Sequence, residues 1–160
     1  MLFYYLIALL AGVAAATQAA VNSQLAAGLG GQPVLAALVS FAVGTVFLAL
    51  AGLGLADVPR AWAALPRQPL WLWLGGVLGA GFVLTMVVLA PRVGIVNLLF
   101  CIIVGQLLAA TVIDHWGLLR MPARPMNWSR LLGLSVMALG LGLFFFGERL
   151  ARALAQWGKA

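Results

Sequence analysis

Residues 70–113 read LWLWLGGVLGAGFVLTMVVLAPRVGIVNLLFCIIVGQLLAATVI, and Arg92 is the only charged side chain among them. A helix crosses the hydrocarbon core with about 20 apolar residues. This run is therefore long enough for two crossings, 70–90 and 93–113, with Pro91-Arg92 as a very tight turn between them. Outward from it, residues 2–21, 33–55 and 131–147 are further stretches without Lys, Arg, Asp or Glu. The last of these is short and extends by about a turn at either end. Hydrophobic residues make up 65% of the 160, charged residues 8%, and the mean hydropathy is +1.14, so a soluble domain has no room. Strict apolar–polar alternation is absent, which argues against a β-barrel. The expectation is an all-α polytopic membrane protein: one five-helix domain over residues 1–160, with a C-terminal amphipathic extension at 148–158 carrying Leu150, Leu154 and Trp157. The connections at 56–69 and 114–130 are too small for extramembrane domains. The opening stretch lacks a basic leader and is too long for an ordinary signal sequence, so no cleavage is expected.

The net charge of +6 is carried by loop and tail residues that face lipid headgroups, and no basic nucleic-acid module accompanies it. Membrane lipid is an expected partner; nucleic acid is not. With five helices the termini lie on opposite sides. Arg60, Arg67, Arg120, Arg124 and Arg130 then fall on the N-terminal side, against Arg92, Arg149, Arg152 and Lys159 on the other, five to four. Positive residues normally mark the inner side clearly. So small a bias leaves two arrangements: a single orientation with the N-terminus inside, or insertion both ways with antiparallel pairing. Many transporters are two inverted repeats around a midplane site, and a half-sized chain obtains its second repeat from a partner.

Acids are scarce, Asp57, Asp114 and Glu148 being the three in the chain. A carboxylate inside a bilayer is the usual handle for cations and protons, and none is expected at midplane here. The polar groups available are amides and hydroxyls. Gln18 and Asn22 sit one turn apart on a stripe of small residues with Ala11, Ala14, Ala15 and Ala19. They are either interhelical glue or substrate ligands. Asn97 and Gln106 lie nine residues apart, about 180° around an ideal helix, so a shared pocket would need an irregular helix. Asp114 and His115 mark a helix end. They are either interfacial groups or a gate or proton relay at a pathway mouth, histidine being the side chain that changes charge near neutral pH. Ser40 and Thr45 can bond back to their own helix. Gly75 with Gly79, and Gly133 with Gly140, are expected packing positions, the second pair suiting a subunit contact. Cys101 stands alone, so no disulfide within the chain and no metal cluster is expected. No nucleophile with a base and no paired carboxylates occur at membrane depth, so neither an enzyme nor a cofactor is expected.

Gln18-x3-Asn22-x2-Leu25, Ser40-Phe41-x2-Gly44-Thr45, Trp73-Leu74-Gly75-Gly76-x2-Gly79, Ala90-Pro91-x2-Gly94, Gly105-Gln106 and Asp114-His115-x-Gly117 follow one another in order. As a set they resemble the YdcZ family of the drug/metabolite transporter superfamily, a similarity that runs from about Leu9 to Gly142. The resemblance implies a five-helix half-transporter of a bacterial inner membrane, an exporter of generally unassigned substrate. It implies pairing as an antiparallel homodimer or with a homologous half-sized subunit. The related small multidrug resistance proteins use a first-helix glutamate for proton and cation exchange; here Gln18 and Asn22 are the polar residues instead. The leading expectation is a small-molecule transporter with Gln18, Asn22, Asn97 and Gln106 as substrate ligands and Asp114 and His115 as gate or relay. The competing one is an accessory subunit of a heteromeric complex that transports nothing itself.

Overall fold

The structure, a computed structural model, describes residues 1–157, with the side chains at 149, 150 and 153–157 outside the description. The described residues are helical, with no strand among them, and five of their helices are long and apolar enough to cross a membrane. The order is α1 Leu2–Gly28, α2 Pro33–Leu55, a short α3 Val58–Ala64, α4 Leu74–Val93, α5 Ile95–Trp116 and α6 Trp128–Trp157. Single 3₁₀ turns, Leu65–Arg67, Leu70–Trp73 and Leu118–Arg120, join them.

The ends have local causes. α1 passes the polar run Asn22-Ser23-Gln24 and stops only at Gly28, because Ser23 Oγ donates to the Ala19 carbonyl at 2.8 Å and Asn22 is buried. Gly30 and Gly31 then take φ of 71° and 78°, and the amides of Gly31 and Gln32 both reach the Ala26 carbonyl, at 2.9 and 3.2 Å. Pro33 opens α2 at its first position, where a missing N–H costs nothing. Asp57 caps α3 through an Arg60 N–H at 3.2 Å. α4 runs on through Pro91 and breaks at Gly94, a one-residue joint with φ 82°. The turn expected at Pro91-Arg92 is displaced: both residues lie inside the last helical turn, and the chain breaks at Gly94, which takes the positive φ that other residues rarely adopt. α6 continues past Glu148, which pairs with Arg152 at 3.6 Å. The side chains of the expected stripe, Leu150, Leu154 and Trp157, lie outside the description.

Contacts divide the chain into two compact units, Met1–Leu98 and Leu99 onward. In the first, α1, α2 and α4 pack on one another around Ala26, Ala36, Ala37, Val83 and Val87. Alanines on α1 and α2 let those backbones approach closely, since lipid supplies no hydrophobic drive between helices. Asn22, 4% exposed, is the one buried polar residue among those described, and its Nδ2 donates to Ser40 Oγ of α2 at 3.2 Å. The ring of Phe41 rests on Gly79 of α4, with 3.9 Å from Cζ to where a Cβ would stand. In the second unit, Phe100 and Phe144 join α5 to α6 with ring centroids 4.4 Å apart. Most large apolar side chains are exposed in the single chain, as expected for surfaces whose solvent is lipid or a partner.

After α5 the chain turns back on itself. Gly117 has φ 61°, and a Cβ there would stand 3.2 Å from both the Ala123 Cβ and the Met121 carbonyl oxygen. Leu119 and Arg120 follow at φ 55° and 61°. This tight turn lets the Arg124 amide reach the Asp114 carbonyl at 2.7 Å.

Two outcomes follow from the packing. Asn22→Ala and Ser40→Ala should each lower stability, by about 0.6–2 kcal/mol for a hydrogen bond between membrane helices. In detergent unfolding titrations the double variant should lose less than the sum, and additive losses would refute the bond. Gly117→Ala adds a left-handed penalty of about 1–2 kcal/mol to the clash. It should speed proteolysis within residues 118–127 in membrane vesicles; an unchanged cleavage rate would contradict the turned-back loop.

Candidate functional site

α2 presents Ser40, Phe41, Gly44, Thr45 and Leu48 on one face, by the i, i+4 geometry of a helix. These residues and Gln18 of α1 line a cavity of about 180 Å³ within the first unit. Gln18 is exposed on it and makes no side-chain hydrogen bond among the described residues. Asn22, one turn along α1, is turned inward and bound to Ser40, which also lines the cavity. Thr45 Oγ1 donates to the Phe41 carbonyl at 2.8 Å and retains its acceptor lone pairs. The lining thus offers one amide with donors and acceptor, two hydroxyls and an aromatic ring, with no charge. Such a set suits a neutral or zwitterionic solute and gives a lone cation no counter-charge.

The two amides expected to act together therefore differ in circumstance. Gln18 has its hydrogen-bonding capacity open; Asn22 is engaged in holding α1 to α2. Asn97 sits just after the Gly94 joint, where its Nδ2 donates to the Val93 carbonyl at 2.8 Å. Gln106 stands near the midpoint of α5, exposed, in the second unit. A further cavity of the first unit, about 330 Å³, is lined by Ser23, Gly31, Pro33, Pro91 and Arg92 among others.

In the second unit, Asp114 is half-buried in the last turn of α5. It lines a cavity of about 300 Å³ with Thr111, Arg124, Met126 and Arg130. His115 Nδ1 accepts the Met126 N–H at 3.1 Å, and its ring meets Trp116 edge-on at 4.9 Å. Together with the bond from Arg124 to Asp114, this ties the loop to the end of α5. Of the expected packing glycines, Gly79 meets Phe41, whereas Gly75, Gly133 and Gly140 have open space where a side chain would be.

Sequence reasoning overlooked Ser40 as the partner of Asn22, and Arg124 and Arg130 as neighbours of Asp114. For Ser40 a signal was present, in the spacing of 40, 41, 44, 45 and 48 along one face. For the arginines there was none, because a loop had to fold back to bring them there.

A family model described as "Putative inner membrane exporter, YdcZ" matches residues 3–143. No curated protein and no solved structure matches the chain significantly. The matched residues reach from the start of α1 well into α6, and the five apolar helices fit an inner-membrane, multi-pass protein. The chain belongs to the YdcZ family of inner-membrane exporters.

Proposed function

We propose that this membrane transporter moves a neutral, zwitterionic or weakly charged small molecule by alternating access, as a dimer of half-sized subunits paired antiparallel. The observation that carries the reading is the uncharged cavity at Gln18, between two helices long enough to span the bilayer. Gln18 would bind the solute directly, with Ser40 and Thr45 beside it and Asn22 holding Ser40 in place. Asp114 and His115 would serve the mouth: the His115–Met126 bond clasps the loop, and its release opens the end of α5.

Pairing is supported by an energetic argument. Gln18 and Gln106 are exposed in the single chain, each well inside a long apolar helix. An amide facing hydrocarbon without a partner costs several kcal/mol. A second copy would cover those amides and the open faces at Gly75, Gly133 and Gly140. The five-to-four division of basic residues supports insertion in both orientations.

In liposomes, Gln18→Ala should abolish most transport while leaving the folding of the single chain near wild type. Asn22→Ala should lose both stability and transport, and Asn22→Ser should restore part of each. Transport by Gln18→Ala at the wild-type rate would remove Gln18 from the site. Single cysteines in the 29–32 and 56–69 connections, in a Cys101→Ser background, should both label from outside intact cells. Labelling at only one of them would sink dual insertion, and an obligatory unlike chain on purification would support the accessory-subunit reading instead.

A further inference from the structure

The cavity at the end of α5, where the transport reading places Asp114, also holds two arginines that the reading does not use. Arg124 and Arg130 line it together with Asp114. The loop bond to Asp114 draws Arg124 in, and an Arg130 guanidinium N–H donates to the Arg124 carbonyl at 3.0 Å. Asn127 fixes the start of α6 by accepting the Arg130 amide at 2.9 Å. Yet neither guanidinium comes within 4.0 Å of the Asp114 carboxylate among the described residues. Two arginines and one aspartate thus line one cavity with no ion pair among them, a local charge of +1.

Below this polar mouth the walls become apolar. Leu107 and Leu134 line the cavity and also line a second one of about 130 Å³, where they are joined by Val104, Met137 and Leu141. The two make a groove between α5 and α6, running from the helix ends toward the middle of α5. Trp116 and Trp128 flank the polar end and are 64% and 78% exposed. Tryptophans so placed favour the headgroup level of a membrane. The groove therefore has the polarity profile of an amphiphile in the leaflet: charge at the surface, hydrocarbon beneath.

We propose that this groove binds a phospholipid with a monoanionic, hydroxyl-bearing headgroup, of which phosphatidylglycerol is the simplest. The phosphodiester would accept from Arg124 and Arg130, for which planar guanidinium donors are well matched. The headgroup hydroxyls would donate to Asp114. One acyl chain would follow Leu107, Leu134 and Met137 toward midplane. A net −1 headgroup neutralises the +1 site, whereas a zwitterionic headgroup leaves one cation uncompensated.

The full chain, purified and delipidated, would be offered equal amounts of phosphatidylglycerol, phosphatidylethanolamine and phosphatidylcholine, and retained lipid read by native mass spectrometry. Phosphatidylglycerol should be retained roughly tenfold over phosphatidylcholine, the scale two interfacial arginines can supply. Arg124→Gln should lose most of that preference, and Arg124→Gln/Arg130→Gln all of it. Arg60→Gln/Arg67→Gln removes the same charge from another loop and should keep it. Because Arg130 also holds the loop, the Arg124→Gln single variant, which gives up no described side-chain hydrogen bond, decides the matter if the double variant fails to fold. Equal retention of the three lipids would overturn the proposal. So would an Arg60/Arg67 variant that loses as much preference, or soluble glycerophosphoglycerol binding as well as the intact lipid.

Discussion

Hydrocarbon offers no hydrogen bonds, and nearly everything in this protein follows from that. The backbone must satisfy itself, so the membrane-spanning segments are helices. Serine and threonine hydroxyls do the same: Thr17, Ser23, Thr45 and Ser135 each donate to the carbonyl four residues earlier. Against that background, a polar side chain without such a local solution stands out. Asn22 finds its partner on another helix; Gln18 and Gln106 have none within the chain's described residues.

The three acids illustrate the same constraint. Asp57 caps a short helix, Glu148 pairs with Arg152, and Asp114 lines a cavity at a helix end. All three stand at or beyond the ends of apolar segments, where desolvation is least severe. The cavity at Gln18 is left without charge. The protein therefore separates two chemistries: uncharged hydrogen bonding within the three-helix unit, and charged side chains of both signs lining the cavity where α5 ends.

The positions of the five spans were legible from hydropathy because every residue of a span meets the same requirement, and apolar runs report it directly. Their limits were less legible. Asn22, Ser23 and Gln24 look like the end of a helix until Ser23 bonds back and Asn22 is buried against α2. Pro91 looks like a terminator, but α4 runs on to Val93 and ends at Gly94, where φ turns positive. At the candidate site, the spacing of Gln18 and Asn22 put both amides on one face of α1. It did not reveal that Asn22 is bound to Ser40 while Gln18 lines a cavity unbonded, because that depends on which of them α2 covers.

The sequence by itself determined membrane residence, the number of spans, the family and the absence of a carboxylate near the middle of a span. Each of these rests on composition and order along one dimension. Tertiary structure decided that Ser40 takes up Asn22, that Phe41 lies on Gly79, and that residues 117–130 fold back to set Arg124 and Arg130 beside Asp114. Those pairings join residues far apart in the chain or across a turn. Contact between them depends on how closely small residues let helices approach and on a left-handed glycine reversing the chain, and neither distance is written in the order of residues.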